Sequence, residues 1–336
     1  MKRFALALMA GVWATQVTAG SVGLQLNQVE MPHHDKTAEV AIWYPGAGGK
    51  ETTFAENPVF NGVQVAIGAE MVPGDYPVVL FSHGMGGTHR AQAWLARALA
   101  EKGAIVVAVN HPNTTWRDLD MAEGVKHWTR AQDMSVALDA LMADPAFAGQ
   151  IDTDRIMASG FSFGGWTALA LGGMTANHAG IVETCAAHID DMVACDILMS
   201  ERVNMPGQDP AIWNASYADP RVRQVVAIDP GLVWGLQGDN TKDLVADATL
   251  IALGGSGVQM SATDFDASGL SDLLDAAEAV RIDPAFHFSV MPICKPAGAA
   301  ILASENDDPV CTDPDGTNRA EVHQQVIDLI AKKLGV

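Results

Sequence analysis

The stretch from Arg155 to Leu171, reading RIMASGFSFGGWTALAL, restricts the fold more than any other part of the chain. An apolar run, Ile156 to Ala158, leads into Gly160-Phe161-Ser162-Phe163-Gly164-Gly165, and helix-favouring residues follow. That order spells a strand, a sharp turn and a helix, with Ser162 at the apex. A turn of this kind strains the backbone of its serine and lifts the hydroxyl clear of the sheet. Gly160 and Gly164, two positions either side, let strand and helix pack closely. The bare G-x-S-x-G string equally describes a glycine-rich turn with a solvated serine. A nucleophilic Ser162 therefore requires a histidine, an acid and two N–H donors elsewhere in the chain.

The flanking sequence repeats the strand-then-helix pattern. Pro77 to Phe81 is a continuous apolar run, the mark of a strand buried on both faces, and it opens into Ser82-His83-Gly84-Met85-Gly86-Gly87. A helix is expected over His89–Lys102, a strand over Ala104–Val109 and a helix over Trp128–Met142. Beyond the elbow, Val222–Ile228, Thr249–Leu253 and Ala279–Ile282 read as strands, Ser268–Glu278 as helical, and Arg319–Leu334 as a last helix. Before it, Val22–Leu26 and Ala38–Tyr44 read as strands joined by a polar connection holding His33-His34, taken as a solvated pair rather than metal ligands. Residues 50–76 form an irregular excursion with one short edge strand at Val63–Ile67. The pattern predicts an α/β fold, a mostly parallel sheet with helices on both faces. Residues 176–216 break the rhythm and are expected to form a cap-like insertion over the strand ends, where such sheets bind ligands.

The 336 residues include 49% hydrophobic ones, enough for a sizeable core. A formal charge of −20 disfavours nucleic acid and simple attachment to anionic lipid. Lys2-Arg3, the apolar run Phe4–Val12 and Val17-Thr18-Ala19 read as a signal peptide over residues 1–19, too short to span a bilayer. Residues 20–336 then form one exported domain. In that setting the four cysteines read as disulfides, Cys185 with Cys195 and Cys294 with Cys311 by nearest-neighbour pairing. Their spacing lacks a zinc pattern, so neither metal nor cofactor is expected.

Strand–elbow–helix folds place nucleophile, acid and histidine in that chain order. Of the downstream histidines, His178 and His188 fall in the insertion and His323 in the last helix, which leaves His287, just after the final strand, as the base. Asp229, directly after the first strand beyond the elbow helix, is the first choice of acid, and Asp264 is the second. Two backbone N–H groups must meet a developing oxyanion; Phe163, next to the serine, and Met85, in the glycine-rich loop, are in the expected places. Met85, Phe163, Trp116, Trp128 and Trp166 are candidates for an apolar acyl site, each also at home in a core.

SHGMGG, GFSFGG, AIDPGL and FHFS together resemble α/β-hydrolases of the platelet-activating-factor acetylhydrolase and dienelactone-hydrolase-like group, exported bacterial type. The resemblance covers most of residues 20–336. It implies the α/β-hydrolase fold, with Ser162, Asp229 and His287 as a triad, Met85 and Phe163 as oxyanion donors, and no cofactor. It also favours Asp229 over Asp264. Ser162 departs from the cysteine of true dienelactone hydrolases, so lactone specificity is not implied. The implied activity is hydrolysis of small-molecule or lipid esters, with polyester fragments open as substrates. A silent binding scaffold of this fold would be expected to lack one triad member, and none is lacking.

Overall fold

The computed structural model describes residues 20–255, 257–274 and 277–336; the expected signal peptide lies outside them. Ten strands follow one another across a single sheet. They are β1 (Val22–Met31), β2 (Lys36–Ala47), β3 (Lys50–Phe54), β4 (Val63–Ile67), β5 (Tyr76–Ser82), β6 (Ile105–Val109), β7 (Ile151–Phe161), β8 (Gln224–Ile228), β9 (Asp247–Leu253) and β10 (Glu278–Ile282). Their spatial order is β10-β9-β8-β7-β5-β6-β2-β1-β4-β3, with the short strand Glu70–Met71 pairing off the path against β2. From β6 to β10 neighbouring strands are parallel, while β2 runs antiparallel to both β1 and β6. This is the mostly parallel sheet of an α/β-hydrolase fold.

Strand residues alternate between two cores because successive side chains leave opposite faces of a strand. Val78 and Leu80 of β5 join one core with Ile105, Val107 and Val109 of β6; Val79 and Phe81 join the other with Val106 and Ala108. Helices α2 (Trp128–Ala143) and α3 (Phe163–Leu171) cover the first face with Met134, Leu138, Trp166 and Leu169. Helix α1 (Ala93–Glu101) and the C-terminal α8 (Arg319–Leu334) cover the second with Leu95, Leu99, Val326 and Ile330. The α8 span matches its sequence reading because its ends carry their own signals: Asn318 accepts a hydrogen bond from Ala320 N–H, and Gly335 closes at φ 72°.

Three expectations change. Residues 50–76 are less irregular than read: β3 pairs with β4, and β4 lies parallel to β1, so β4 is interior and β3 is the edge. Helix α1 starts at Ala93, not His89, because the residues before it close i to i+3 turns instead, Ala91 N–H on Thr88 O at 3.0 Å and Ala93 N–H on Arg90 O at 3.2 Å. The helix expected over 268–278 shrinks to Leu270–Leu273. There Asp264 draws the Asp266 and Ala267 N–H groups into a side-chain turn, and Gly269 enters at φ 76°, so a competing local geometry wins.

Between α3 and β8, residues 176–216 form α4 (His178–Ala187), α5 (Cys195–Met199) and α6 (Pro210–Trp213). Cys185 bonds to Cys195, tying α4 to α5, and Cys294 bonds to Cys311 across α7 (Gly298–Glu305). No helix among the described residues is long and apolar enough to cross a membrane.

Candidate active site

Strand β7 ends at Phe161, and the chain reverses into α3 through Ser162 at φ 58°, ψ −121°. A non-glycine residue held there costs on the order of 1–3 kcal/mol, so the surroundings must fix it. Three hydrogen bonds do so. The Ser162 N–H reaches Ile228 O at 2.9 Å, and its carbonyl accepts from Gly231 N–H at 3.0 Å and Trp166 N–H at 3.2 Å. A Cβ on Gly160 would collide with the Gly164 carbonyl, and one on Gly164 with that of Ser82. The two glycines are therefore required by the close approach of β5, β7 and α3.

His287 enters from a short 3-10 turn after β10, and Asp229 from the residue after β8. His287 Nε2 lies 3.0 Å from Ser162 Oγ, and His287 Nδ1 donates to Asp229 Oδ2 at 2.6 Å. Asp229 is fully buried and fully engaged: Oδ2 also accepts from Thr263 Oγ1 at 2.7 Å, and Oδ1 from Gln259 Nε2 at 3.0 Å and Leu253 N–H at 3.1 Å. A carboxylate with four donors is held still. Asp264 instead caps the turn after it and makes no bond to His287. Thr263 and Gln259 carried no motif. They are adjacent to Asp229 only because the β9–β10 connection folds back over β8.

The loop after β5 passes close to the serine: a Cβ on Gly84 would stand 3.2 Å from Ser162 Cβ. Gly86, at φ 72°, turns the loop, with its N–H on Thr114 O at 2.9 Å, and Gly87 N–H closes on Gly84 O at 3.0 Å. The Met85 N–H between them has no acceptor among the described residues. Phe163 N–H, opening α3, lacks an intrahelical one by its position.

Behind this loop lies a buried polar layer that no sequence motif announced. Arg130 of α2, fully buried, donates from its guanidinium to the His83 carbonyl, Ser82 Oγ, Thr114 Oγ1 and Thr167 Oγ1, and lies 4.8 Å over the Phe163 ring. It thus touches both segments that carry the free N–H groups. Burial lowers the Arg130 pKa to about 9, against the pull of nearby Asp133. Ser82 Oγ donates to His111 Nε2 at 2.9 Å, and His111 Nδ1 donates to Asp133 Oδ2 at 2.8 Å. Burial, then Arg130, brings His111 down to about 4; the same two causes hold His83 well below the ordinary imidazole range. Burial alone would raise Asp133, but bonds from His111 and His33 hold it below the usual carboxylate range. His33 and His34 are therefore more than a solvated pair: His33 is exposed as that reading had it, but both rings also face Asp133.

Ser162 opens into a cavity of about 180 Å³. Apart from Ser162 and Thr263, its side chains are apolar or belong to the Cys185–Cys195 disulfide. Of the aromatic and methionine candidates, Met85 and Phe163 line it; Trp166 is core, Trp128 packs behind, and Trp116 is 61% exposed. The other aromatic walls are Trp213 and Trp234, with Ile181, Met192 and Leu198 from the 176–216 segment. His127 fastens that segment to the elbow helix, accepting from Trp166 Nε1 at 3.1 Å and donating to Trp213 O at 2.9 Å.

A family model described as Chlorophyllase matches residues 51–194, less than half of the chain. Two proteins of Thermobifida alba, Cutinase est2 and Cutinase est1, are 34% and 33% identical over 98 residues. Those residues are 29% of this chain, and the chain spans about 30% of the length of either cutinase. Among solved structures, a ferulic acid esterase from Streptomyces cinnamoneus superposes with a TM-score of 0.58 at 15% identity, over 95% of this chain and 90% of that one. At that identity the likeness is one of fold, and it extends over nearly the whole α/β-hydrolase architecture.

Proposed function

We propose that this protein is an exported serine hydrolase of carboxylic esters. The carrying observation is the unbroken Ser162–His287–Asp229 hydrogen-bond chain, whose serine end opens into an apolar cavity. In this reading His287 Nε2 takes the Ser162 proton as Oγ attacks the ester carbonyl. Asp229 holds the ring so that Nδ1 carries its proton and Nε2 is free to act as base. The carbonyl electrons move to oxygen, where Met85 and Phe163 N–H groups stabilise the charge. The tetrahedral adduct collapses, His287 protonates the departing alcohol, and the acyl group stays on Ser162. Water, deprotonated by His287, then releases the acid and restores the serine.

The partial likeness to proteins named cutinase and ferulic acid esterase supports ester chemistry. A cavity of about 180 Å³ suits a single acyl chain better than a bulky group, since an apolar cavity of roughly that size takes a benzene-sized guest. Short-chain and lipid acyl esters, platelet-activating-factor-like ones included, fit this reading, with residues 176–216 as a cap over the acyl group. The cutinase matches favour a second reading, hydrolysis of polyester segments. Two disulfides suit an oxidising compartment and hence export. Turnover of p-nitrophenyl esters from acetate to longer acyl groups tests the proposal, with Ser162→Ala as control. Loss of turnover in a folded variant is the expected result; retained turnover overturns the assignment.

A further inference from the structure

His33 and His34 sit in the turn between β1 and β2 and lie against α2. His33 Nε2 stands 2.8 Å, and His34 Nε2 3.2 Å, from the same oxygen of Asp133, and the three atoms lie within 4.8 Å of one another. Asp133 is fully buried; the His34 side chain is 4% exposed and that of His33 18%. The His33 contact is a hydrogen bond, whereas His34 Nε2 is buried with no hydrogen-bond partner, near the carboxylate but off its bonding direction. A buried polar atom left unpaired is costly, and it requires an explanation. The other Asp133 oxygen is held by His111 Nδ1 at 2.8 Å, the outer hydrogen bond that fixes a metal-bound carboxylate.

We infer that His33 Nε2, His34 Nε2 and Asp133 Oδ1 form a binding site for a divalent transition-metal ion, zinc by its donor set, with water as fourth ligand. Two imidazoles and one carboxylate suit zinc or cobalt, and not calcium or magnesium, which take oxygen ligands. In a tetrahedral zinc site the N and O ligands stand about 3.3 Å apart. The two nitrogen-to-oxygen separations are 2.8 and 3.2 Å and the two nitrogens lie within 4.8 Å, so admitting the ion widens the first two by a few tenths of an ångström and brings the third to the same spacing. The ion takes the place of the proton that His33 Nε2 now shares with Asp133, and His33 stays neutral by carrying its one proton on Nδ1 instead, exchanged through solvent on its exposed side. His34 must then carry its proton on Nδ1. Asn113, whose amide nitrogen is 3.3 Å from that atom, turns its amide over to offer the oxygen. Lys36, which now also donates to Asn113 Oδ1, keeps its bond to Asp118 at 2.8 Å. The site ties the first hairpin to α2, behind the Arg130 layer, and does not depend on what Ser162 does.

The test uses tag-free protein stripped by chelator and titrated with Co²⁺, then Zn²⁺. The expected result is one equivalent of Co²⁺ with the visible absorption of four-coordinate cobalt, displaced by Zn²⁺. Zn²⁺ at hundredfold excess over Kd should raise Tm by roughly 5 °C. His33→Ala and His34→Ala should each weaken binding at least tenfold, and the double variant should abolish it; because both rings contact buried Asp133, each variant is first shown to unfold cooperatively. Absence of stoichiometric binding overturns the site and leaves a hydrogen-bonded trio. Binding unchanged in the double variant overturns it too, placing the ion elsewhere, as on exposed His188 and Asp191. Because no readout is esterase activity, failure here is distinguishable from failure of the ester-hydrolase reading.

Discussion

The molecule contains two serine–histidine–aspartate chains with nearly the same bond lengths and opposite settings. In one, Ser162 Oγ is 3.0 Å from His287 Nε2, and His287 Nδ1 is 2.6 Å from Asp229. In the other, Ser82 Oγ is 2.9 Å from His111 Nε2, and His111 Nδ1 is 2.8 Å from Asp133. Residue types and distances therefore do not separate a nucleophile from a buried strut. Ser162 sits on a strained turn at the mouth of a cavity; Ser82 ends a strand at 1% exposure. Arg130 donates to Ser82 Oγ at 3.0 Å, occupying a lone pair that a nucleophile would use. The same cation and burial leave His111 a weak base near neutral pH. On the proposed function, the chain that ends at the cavity reacts and the other holds the loop beside it.

Replacing the serines and acids separates the two chains most sharply. Ser162→Ala and Asp229→Asn should each lower kcat by about 10⁴-fold, as for other triads of this geometry. Ser82→Ala should stay within tenfold of the parent while losing about 1–3 kcal/mol of stability through unpaired Arg130 and His111. Asp264→Asn should leave kcat near its parent value. Equal losses from Ser82→Ala and Ser162→Ala, read by ester turnover alongside denaturant unfolding, would contradict the contrast.

Arg130 joins the regions, so its removal should show in both. Arg130→Met should lower kcat about 10- to 100-fold with little change in KM, because it loosens donors used in the transition state rather than the acyl pocket. Arg130→Lys should not restore kcat, since an ammonium cannot reproduce the planar fork of bonds to His83, Ser82, Thr114 and Thr167. A variant whose KM rises while kcat holds would place Arg130 with substrate binding.

The smallest expected effect concerns pH. His127 is buried and neutral, with a pKa brought by burial to about 4. Its unfolded value is near 6.5, so the unfolded chain binds the extra proton first as pH falls. Its contribution to stability is full above about pH 6.5 and declines as pH drops toward 4, by on the order of 3 kcal/mol across that window. Unfolding midpoints of the parent and His127→Gln over pH 4–7 should converge on acidification; parallel curves would refute the assignment.

The strands, the elbow and the chain order of serine, acid and histidine were legible because each rests on local sequence, although the acid stayed a choice between Asp229 and Asp264. Apolar runs mark buried strands, glycines mark the close crossing, and the order follows from strands ending on one edge of a parallel sheet. The helix over 268–278 was misread because helical composition there competes with an Asp264 turn that composition does not reveal. His33 and His34 looked solvated because Asp133, the residue they face, lies about a hundred positions along the chain. For the same reason the wall residues Trp213 and Trp234 escaped notice.

By itself the sequence determined the fold class and the apex serine, which rest on patterns within tens of residues, while the nearest-neighbour cysteine pairing was one of three it allowed. Only the tertiary structure decided which carboxylate meets His287 and which serine stands free. It also decided what charge lies behind the Gly84–Gly87 loop and what lines the cavity. Each of these depends on side chains distant in sequence whose burial fixes their charge and geometry, and burial is a property of the packed chain.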